Sequence, residues 1–258
     1  MITPVVLGAL ALLANTASAA CTREGLLAAA SSYVAAQTAG KLDGLKLATD
    51  NFTYQENNKA ADIKRGVLST ALKVDLTRST ADTVQCASYT LVVATSPKPY
   101  VLATQLRHRD GDASVITTID TIAATTGALF FNATKTLAYL KAEDWSPLTG
   151  PLPSRDELKR VGDAYLDMWT DKAAADSIPW GTDCERVEGS QYTRPCGKSL
   201  PRGGSAKNNG MRRYVIDDII GSVDVLCMFS SLGNMPDSHE IRLVDGKVKY
   251  VHTVTVLG

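Results

Sequence analysis

Apolar residues recur at helical spacing in two parts of the chain. Leu158, Val161, Tyr165, Met168 and Trp169 form one stripe, and Ser154 to Glu157 before them reads as a capping box. Leu26, Leu27, Ala30, Tyr33 and Val34 form a similar stripe behind Thr22. Each stripe predicts a helix with one face on a core. Strand-like segments follow each helix. Residues 84–95 and 100–107 flank a Ser-Pro-Lys-Pro loop. Asp110-Gly111 and Asp245-Gly246 each predict a tight hairpin, because the favoured two-residue turn needs positive φ at both central positions.

These elements come in the same order twice. Arg23, Leu26, Tyr33 and Thr38 meet Arg155, Leu158, Tyr165 and Thr170 at an offset of 132. Arg78, Asp82, Leu91, Arg107, Asp110, Gly111 and Thr118 meet Arg213, Asp217, Leu226, Arg242, Asp245, Gly246 and Thr253 at an offset of 135. A constant offset across several predicted elements argues for a duplicated unit, and the period is too long for a solenoid. The expected class is α+β: two tandem cone-like domains, each with N-terminal helices packed on a curved antiparallel sheet. The first spans 21–141 and the second 154–258. Residues 142–153 hold three prolines and read as a linker. Residues 197–210 read as a mobile loop, either solvated or serving as a lid over a pocket. The Gly-Lys-Ser within it lacks the glycine spacing of a phosphate loop.

Residues 1–20 are apolar, uncharged and end in small residues, as a secretory signal does. A lipid anchor on Cys21 is the rival reading of that terminus. Lys plus Arg equals Asp plus Glu at 27 each, which argues against nucleic acid or an anionic membrane as partner. No segment is long and apolar enough to predict a membrane-spanning helix. Secretion permits disulfides, and the expected pairs are Cys21 with Cys86 and Cys184 with Cys196. Cys227 lies in an apolar strand and is expected to be a buried free thiol. No Cys-x-x-Cys spacing supports a zinc site, and neither a metal nor an organic cofactor is expected. Asn51 and Asn132 begin glycosylation sequons.

The candidate chemistry lies in the second copy. If Asp245-Gly246 is a two-residue turn and the hairpin is regular, His239 faces His252 and Ile241 faces Tyr250. One face then carries Asp237, His239, Tyr250 and His252 among Ile241, Leu243, Val248, Val254 and Val256. The other carries Ser238, Glu240, Arg242, Lys247, Lys249, Thr253 and Thr255 and reads as solvated. On that register the two imidazoles could share a proton, with Asp237 orienting one ring. Three readings stay open: histidines that merely satisfy buried polar groups, acid–base catalysis, and a metal site from His239, His252 and Asp237. At offset 135 the first copy has Leu102, Thr104, Val115 and Thr117 in place of the polar four, so the fold does not demand them. Trp180 and Asp183 could line a mouth beside this face, and Tyr214 is a further candidate contact. A one-residue shift in the hairpin would send the histidines to opposite faces.

Two resemblances add expectations. Tyr33-Val34-Ala35-Ala36-Gln37-Thr38, Trp180-Gly181-Thr182-x-Cys184, Arg212-Arg213-Tyr214-Val215-Ile216-Asp217 and Asp237-Ser238-His239-Glu240 resemble a family of secreted fungal proteins of unknown function. Each copy also resembles the nuclear transport factor 2-like fold, and Asn51-Phe52-Thr53-Tyr54-x-Glu56-Asn57 is similar to the opening strand of SnoaL-type cyclases. That group includes ketosteroid isomerase and scytalone dehydratase, cofactor-free enzymes that move protons with Asp, His and Tyr. The resemblance implies a secreted lyase, isomerase or cyclase acting on a small apolar oxygenated metabolite. In it His239 and His252 would act as acid–base groups, Asp237 would orient a ring, and Tyr250 would be a polarising donor. The alternative is a non-catalytic secreted small-molecule-binding or host-interaction protein.

Overall fold

A computed structural model describes residues 21–257. The signal reading of residues 1–20 lies outside the described residues. The chain begins with α1 (Arg23–Ala39), then β1 (Thr53–Glu56) and β2 (Lys59–Ala60). A meander follows: β3 (Leu76–Asp82), β4 (Ala87–Ala94), β5 (Tyr100–Arg109) and β6 (Asp112–Thr125), then α2 (Ala133–Leu140). The second half opens with α3 (Arg155–Asp167) and α4 (Ala174–Ser177), then β7 (Trp180–Glu188) and β8 (Gln191–Thr193). Its meander is β9 (Gly210–Asp217), β10 (Ser222–Phe229), β11 (Met235–Val244) and β12 (Lys247–Thr255).

The strands form two six-stranded sheets. Their orders are β2-β1-β6-β5-β4-β3 and β8-β7-β12-β11-β10-β9, so the second repeats the first. The sheets are not wholly antiparallel, as the sequence suggested. β1 pairs parallel with β6, and β7 with β12. After each short hairpin the chain crosses to the far edge and then meanders back, so the last strand runs alongside the first in the same direction.

Local chemistry sets the helix ends. Thr22 Oγ1 accepts from the Gly25 amide at the start of α1, and Gly40 closes that helix in the left-handed region. Ser154 Oγ accepts from the Glu157 amide at the start of α3. The α3 stripe buries Leu158, Val161 and Tyr165 against the second sheet. Gly162 lets that helix approach closely, because a Cβ there would sit 3.2 Å from Val225 Cγ2.

Three apolar clusters stack through the molecule. α1 and one face of the first sheet enclose Tyr33, Val92, Leu102, Leu106 and Ile119. α3, α4 and one face of the second sheet enclose Leu158, Tyr165, Phe229, Ile241 and Val251. Between the sheets lie Tyr89, Leu91, Val101, Ala103 and Ile122 of the first, and Val215, Leu226 and Val254 of the second. The central strands are therefore buried on both faces. Ser238, Glu240 and Arg242, read from sequence as solvated, are buried for that reason.

Two reciprocal ion pairs tie the halves together. Arg23 Nη1 donates to both oxygens of Asp217 at 2.7 Å. Arg155 forks onto Asp82 at 2.7 and 2.8 Å. The same carboxylates accept the Ala81 and Ile216 amides at 2.9 and 3.0 Å. The repeated Arg and Asp positions of the two copies thus meet crosswise, each helix anchoring to the other sheet.

The disulfides pair Cys21 with Cys86 and Cys184 with Cys196, and Cys227 is free and buried. Cys21 has no thiol left for a lipid. Asn51 is exposed, and Asn132 caps α2 by accepting from the Lys135 amide. Residues 197–209 contain no helix or strand, but Asn209 pins the end of that loop: it donates to Leu166 O and accepts from the Ser231 amide. Among the described residues, no helix is long and apolar enough to cross a membrane.

Candidate functional site

The β11–β12 hairpin begins as its sequence predicts. Asp245 and Gly246 have φ of 50° and 68°, and Val244 pairs with Lys247 and Leu243 with Val248. In the first hairpin only Gly111 is left-handed. The register then shifts between Leu243 and Arg242, and Arg242 pairs with Tyr250. Lys249 is the extra residue, so the strand carries a β-bulge. Val248 and Val251 both reach the α3-side core despite being three apart.

This shift overturns the expected histidine pair. His239 faces Thr253, and His252 faces Glu240. Neighbouring positions of one strand point to opposite faces, so the two imidazoles lie on opposite sides of the sheet. The metal set of His239, His252 and Asp237 falls with it, and Tyr250 leaves with His252. Ile241 faces Val251, not Tyr250.

On the α3 side, the His239 ring lies 5.0 Å from Tyr165 and 5.5 Å from Phe229, centroid to centroid. Asp237 Oδ2 stands 3.5 Å from His239 Nδ1, which makes no hydrogen bond. Asp237 Oδ1 accepts from Thr255 Oγ1 at 2.9 Å. Cys227 pairs across the ladder with Asp237. One donor atom from each of Cys227, Asp237 and His239 lies within 4.8 Å of the other two. Burial dominates the titration here. It depresses His239 to about 3, helped by the charges of Arg186 and Arg212. It raises Asp237 and Cys227 well above their ordinary values.

On the opposite face, His252 Nε2 lies 2.8 Å from Glu143 Oε1 and Nδ1 lies 3.2 Å from Glu240 Oε2. Arg78, from the first half, pairs with Glu240 and also comes within 3.0 Å of His252 Nδ1. The Arg78 guanidinium stacks 3.6 Å from the centroid of Trp145, whose indole N–H donates to Glu143 Oε2 at 2.7 Å. Trp145 also stacks on Tyr250 at 5.7 Å. Arg242 donates to the carbonyls of Asp144 and Ser146, and the Asp144 amide donates to Tyr250 Oη at 3.2 Å. Residues 143–146 therefore form a strap over this face. Burial opposes charge on His252, but Glu143 and Glu240 outweigh it and the net shift is upward. Two carboxylates, two guanidiniums and an imidazole make a closed, mutually hydrogen-bonded cluster under the strap.

Glu143, Trp145 and the role of Arg78 were not legible as site features. The only signal for the strap was an aromatic residue within a proline-rich stretch.

The remaining expected residues separate. Trp180 and Asp183 line an open groove of about 480 Å³ with Val248, Lys247 and Lys249. Asp183 is ion-paired with Lys249. Tyr250 and Arg242 line a neighbouring groove of about 310 Å³ with Asp144, Pro147 and Leu148. The two grooves share Val244, Asp245 and Lys249. Neither histidine lines them. Tyr214 donates its hydroxyl to Asp163 on α3 and lines neither groove.

Residues 152–255 match a family described as a domain of unknown function (DUF8021). The match covers α3 through β12, which carry both histidines and the Trp180 groove; Arg78, Glu143 and Trp145 around His252, and the Asp144–Pro151 side of the second groove, lie outside it. No curated protein matches the chain.

Proposed function

We propose that this chain is an extracellular, non-catalytic binding protein whose ligand occupies the paired groove at the β11–β12 turn. The single observation that carries the reading is the bulge at Lys249. It places one extra cationic side chain where two grooves meet, one lined by Trp180 and the other by Tyr250. The mixture of ring faces, Lys247, Lys249 and Arg242 with Asp144, Asp183 and Asp245 suits a small apolar body bearing oxygen functions. The two disulfides support an extracellular setting. Proton transfer between two histidines at one substrate is set aside, because the sheet stands between them. The family match supplies no activity.

The test is a thermal-shift and ligand-detected NMR screen of the full chain against terpenoid and aromatic alcohols and carboxylic acids. Binding that weakens about tenfold or more in Lys249→Glu, with the compound recovered unchanged, supports the reading. Compounds that bind equally well to Lys249→Glu, or that are chemically converted, overturn it.

A further inference from the structure

A second, separate feature lies inside the second half. Cys227, Asp237 and His239 sit on adjacent strands, all buried, beneath Tyr165 and Phe229. We propose that these three side chains bind one zinc ion.

The first argument is geometric. Donor atoms all within 4.8 Å of one another can be reached from a single point at no more than about 2.8 Å from each. Zinc binds sulfur at about 2.3 Å and imidazole nitrogen at about 2.0 Å, so small rotations bring all three donors onto one ion and leave its fourth position to a further oxygen donor. The ligand types are a thiolate, an imidazole and a carboxylate, which together suit zinc. Thr255 already holds the other carboxylate oxygen, as an outer partner that orients a metal ligand would.

The second argument is unmet bonding. His239 is 2% exposed, and its Nδ1 has no hydrogen-bond partner. Thr253, directly opposite, has an unpartnered buried hydroxyl as well. Each such group costs about 1–3 kcal/mol if left unpaired. The first half has Val92, Leu102 and Thr104 at the positions offset by 135, and there Thr104 is fully engaged with Tyr33 and Thr121 at 2.8 and 2.9 Å.

The third argument is charge. One Zn²⁺ with one thiolate, one carboxylate and one neutral imidazole sums to zero, so the ion adds no net charge beside Arg186 and Arg212, whose charges already act on His239. Forming the Zn–S bond releases the thiol proton to solvent, along with any proton on the Asp237 carboxyl, so retention strengthens as pH rises. The aromatic cover implies that the ion enters before this core closes.

The test uses the full chain with both disulfides intact, unfolded in guanidinium and refolded with zinc or cobalt(II) chloride. After free metal is removed, one zinc per chain is expected by elemental analysis. The cobalt form should show a thiolate-to-cobalt charge-transfer band. Because the other four cysteines are disulfide-bonded, any such band reports Cys227. Cys227→Ser should lose the band and retain about tenfold less metal or lower. Wild-type protein with only trace zinc, or zinc retained with no thiolate band in the cobalt form, would overturn the proposal. Should Cys227→Ser fail to fold, the wild-type cobalt spectrum decides alone.

Discussion

The two halves share a strand order but treat their interiors differently. Behind α1, the first half places Val92, Leu102 and Thr104 where the second, behind α3, places Cys227, Asp237 and His239. Tyr33 closes a satisfied hydrogen-bond chain through Thr104 to Thr121. Its counterpart Tyr165 packs on an imidazole whose Nδ1 has no partner. The fold is therefore content with an apolar, locally satisfied interior, and the polar set of the second half is an addition. The sheet faces that meet between the halves follow the opposite rule. There the repeated residues do the same job, and Arg23–Asp217 mirrors Arg155–Asp82.

The sharpest way to break this comparison is to exchange the interiors. Leu102→Asp should cost the first half about 5 kcal/mol, or prevent folding, because an apolar side chain is lost and an unpaired carboxyl is buried. Asp237→Leu in metal-free protein should cost less, about 1–3 kcal/mol at most, because the Thr255 hydroxyl it leaves unpaired is offset by removal of a buried carboxyl. Urea unfolding midpoints with unchanged slopes measure both. Equal losses at the two sites would mean that the second interior depends on its polar set even without metal.

The shared interface gives the next largest effect. Arg23→Ala leaves the fully buried Asp217 without its guanidinium and should cost about 3–5 kcal/mol. Arg155→Ala should sit at the low end of that range, because the Arg155 side chain is 31% exposed against 19% for Arg23. If either change costs no more than a surface pair, under about 1 kcal/mol, the crosswise tie is not holding the halves together.

These ties also show what the sequence could disclose. Both helix starts and the Asp245-Gly246 turn were readable from nearby residues, the repeat from its near-constant offset, and the disulfide pairs from the secretory setting that permits them. The register of β12 was not. Alternation locates a strand face only when one face meets water, and here both faces are buried. Val248, Tyr250, His252 and Val254 looked like one apolar face. The bulge instead groups Val248 with Val251 on the α3 side and sends Tyr250, His252 and Val254 toward the first half. It also changes the structural repeat. Val251 pairs with Arg186 as Ile119 pairs with Tyr54, an offset of 132, so the counterpart of His252 is Asp120 and not Thr117. Arg213 reaches Asp120 just as Arg78 reaches His252, a second crosswise correspondence hidden by the wrong register.

The buried histidines should also differ in how pH acts on them, His108 and His239 being depressed, one in each half, and His252 raised. His108, in the first half, is depressed to about 4, chiefly by burial. The unfolded chain takes up a proton below about 6.5 that the folded chain refuses, so this stability is present above 6.5 and lost as pH falls toward 4. His252 is shifted upward despite burial, through Glu143 and Glu240. Its contribution is present below about 6.5 and lost as pH rises through the higher folded value. His108→Gln should reduce the acid-side slope of the stability–pH curve without abolishing it, since His239 also refuses a proton there, and His252→Gln should flatten the side above 6.5. Each slope is at most about 1.4 kcal/mol per pH unit. A His252→Gln curve parallel to wild type above 6.5 would show that the strap cluster does not hold a charged ring.

The smallest expected effect is one where the halves should agree. Thr22 and Ser154 each accept from the amide three residues on, at 3.1 Å in both cases. Both bonds are exposed, and both open the helix that carries the crosswise arginine. Thr22→Ala and Ser154→Ala should each cost about 1 kcal/mol. The Cys21–Cys86 disulfide lies immediately before the first cap and holds that helix start in place, whereas Ser154 follows residues without helix or strand. The second cap should therefore cost a few tenths of a kcal/mol more, because frayed ends there have more freedom to gain. Equal losses would mean the disulfide adds nothing at the α1 start. A larger loss at Thr22 would mean the covalent tie strains that turn rather than supporting it.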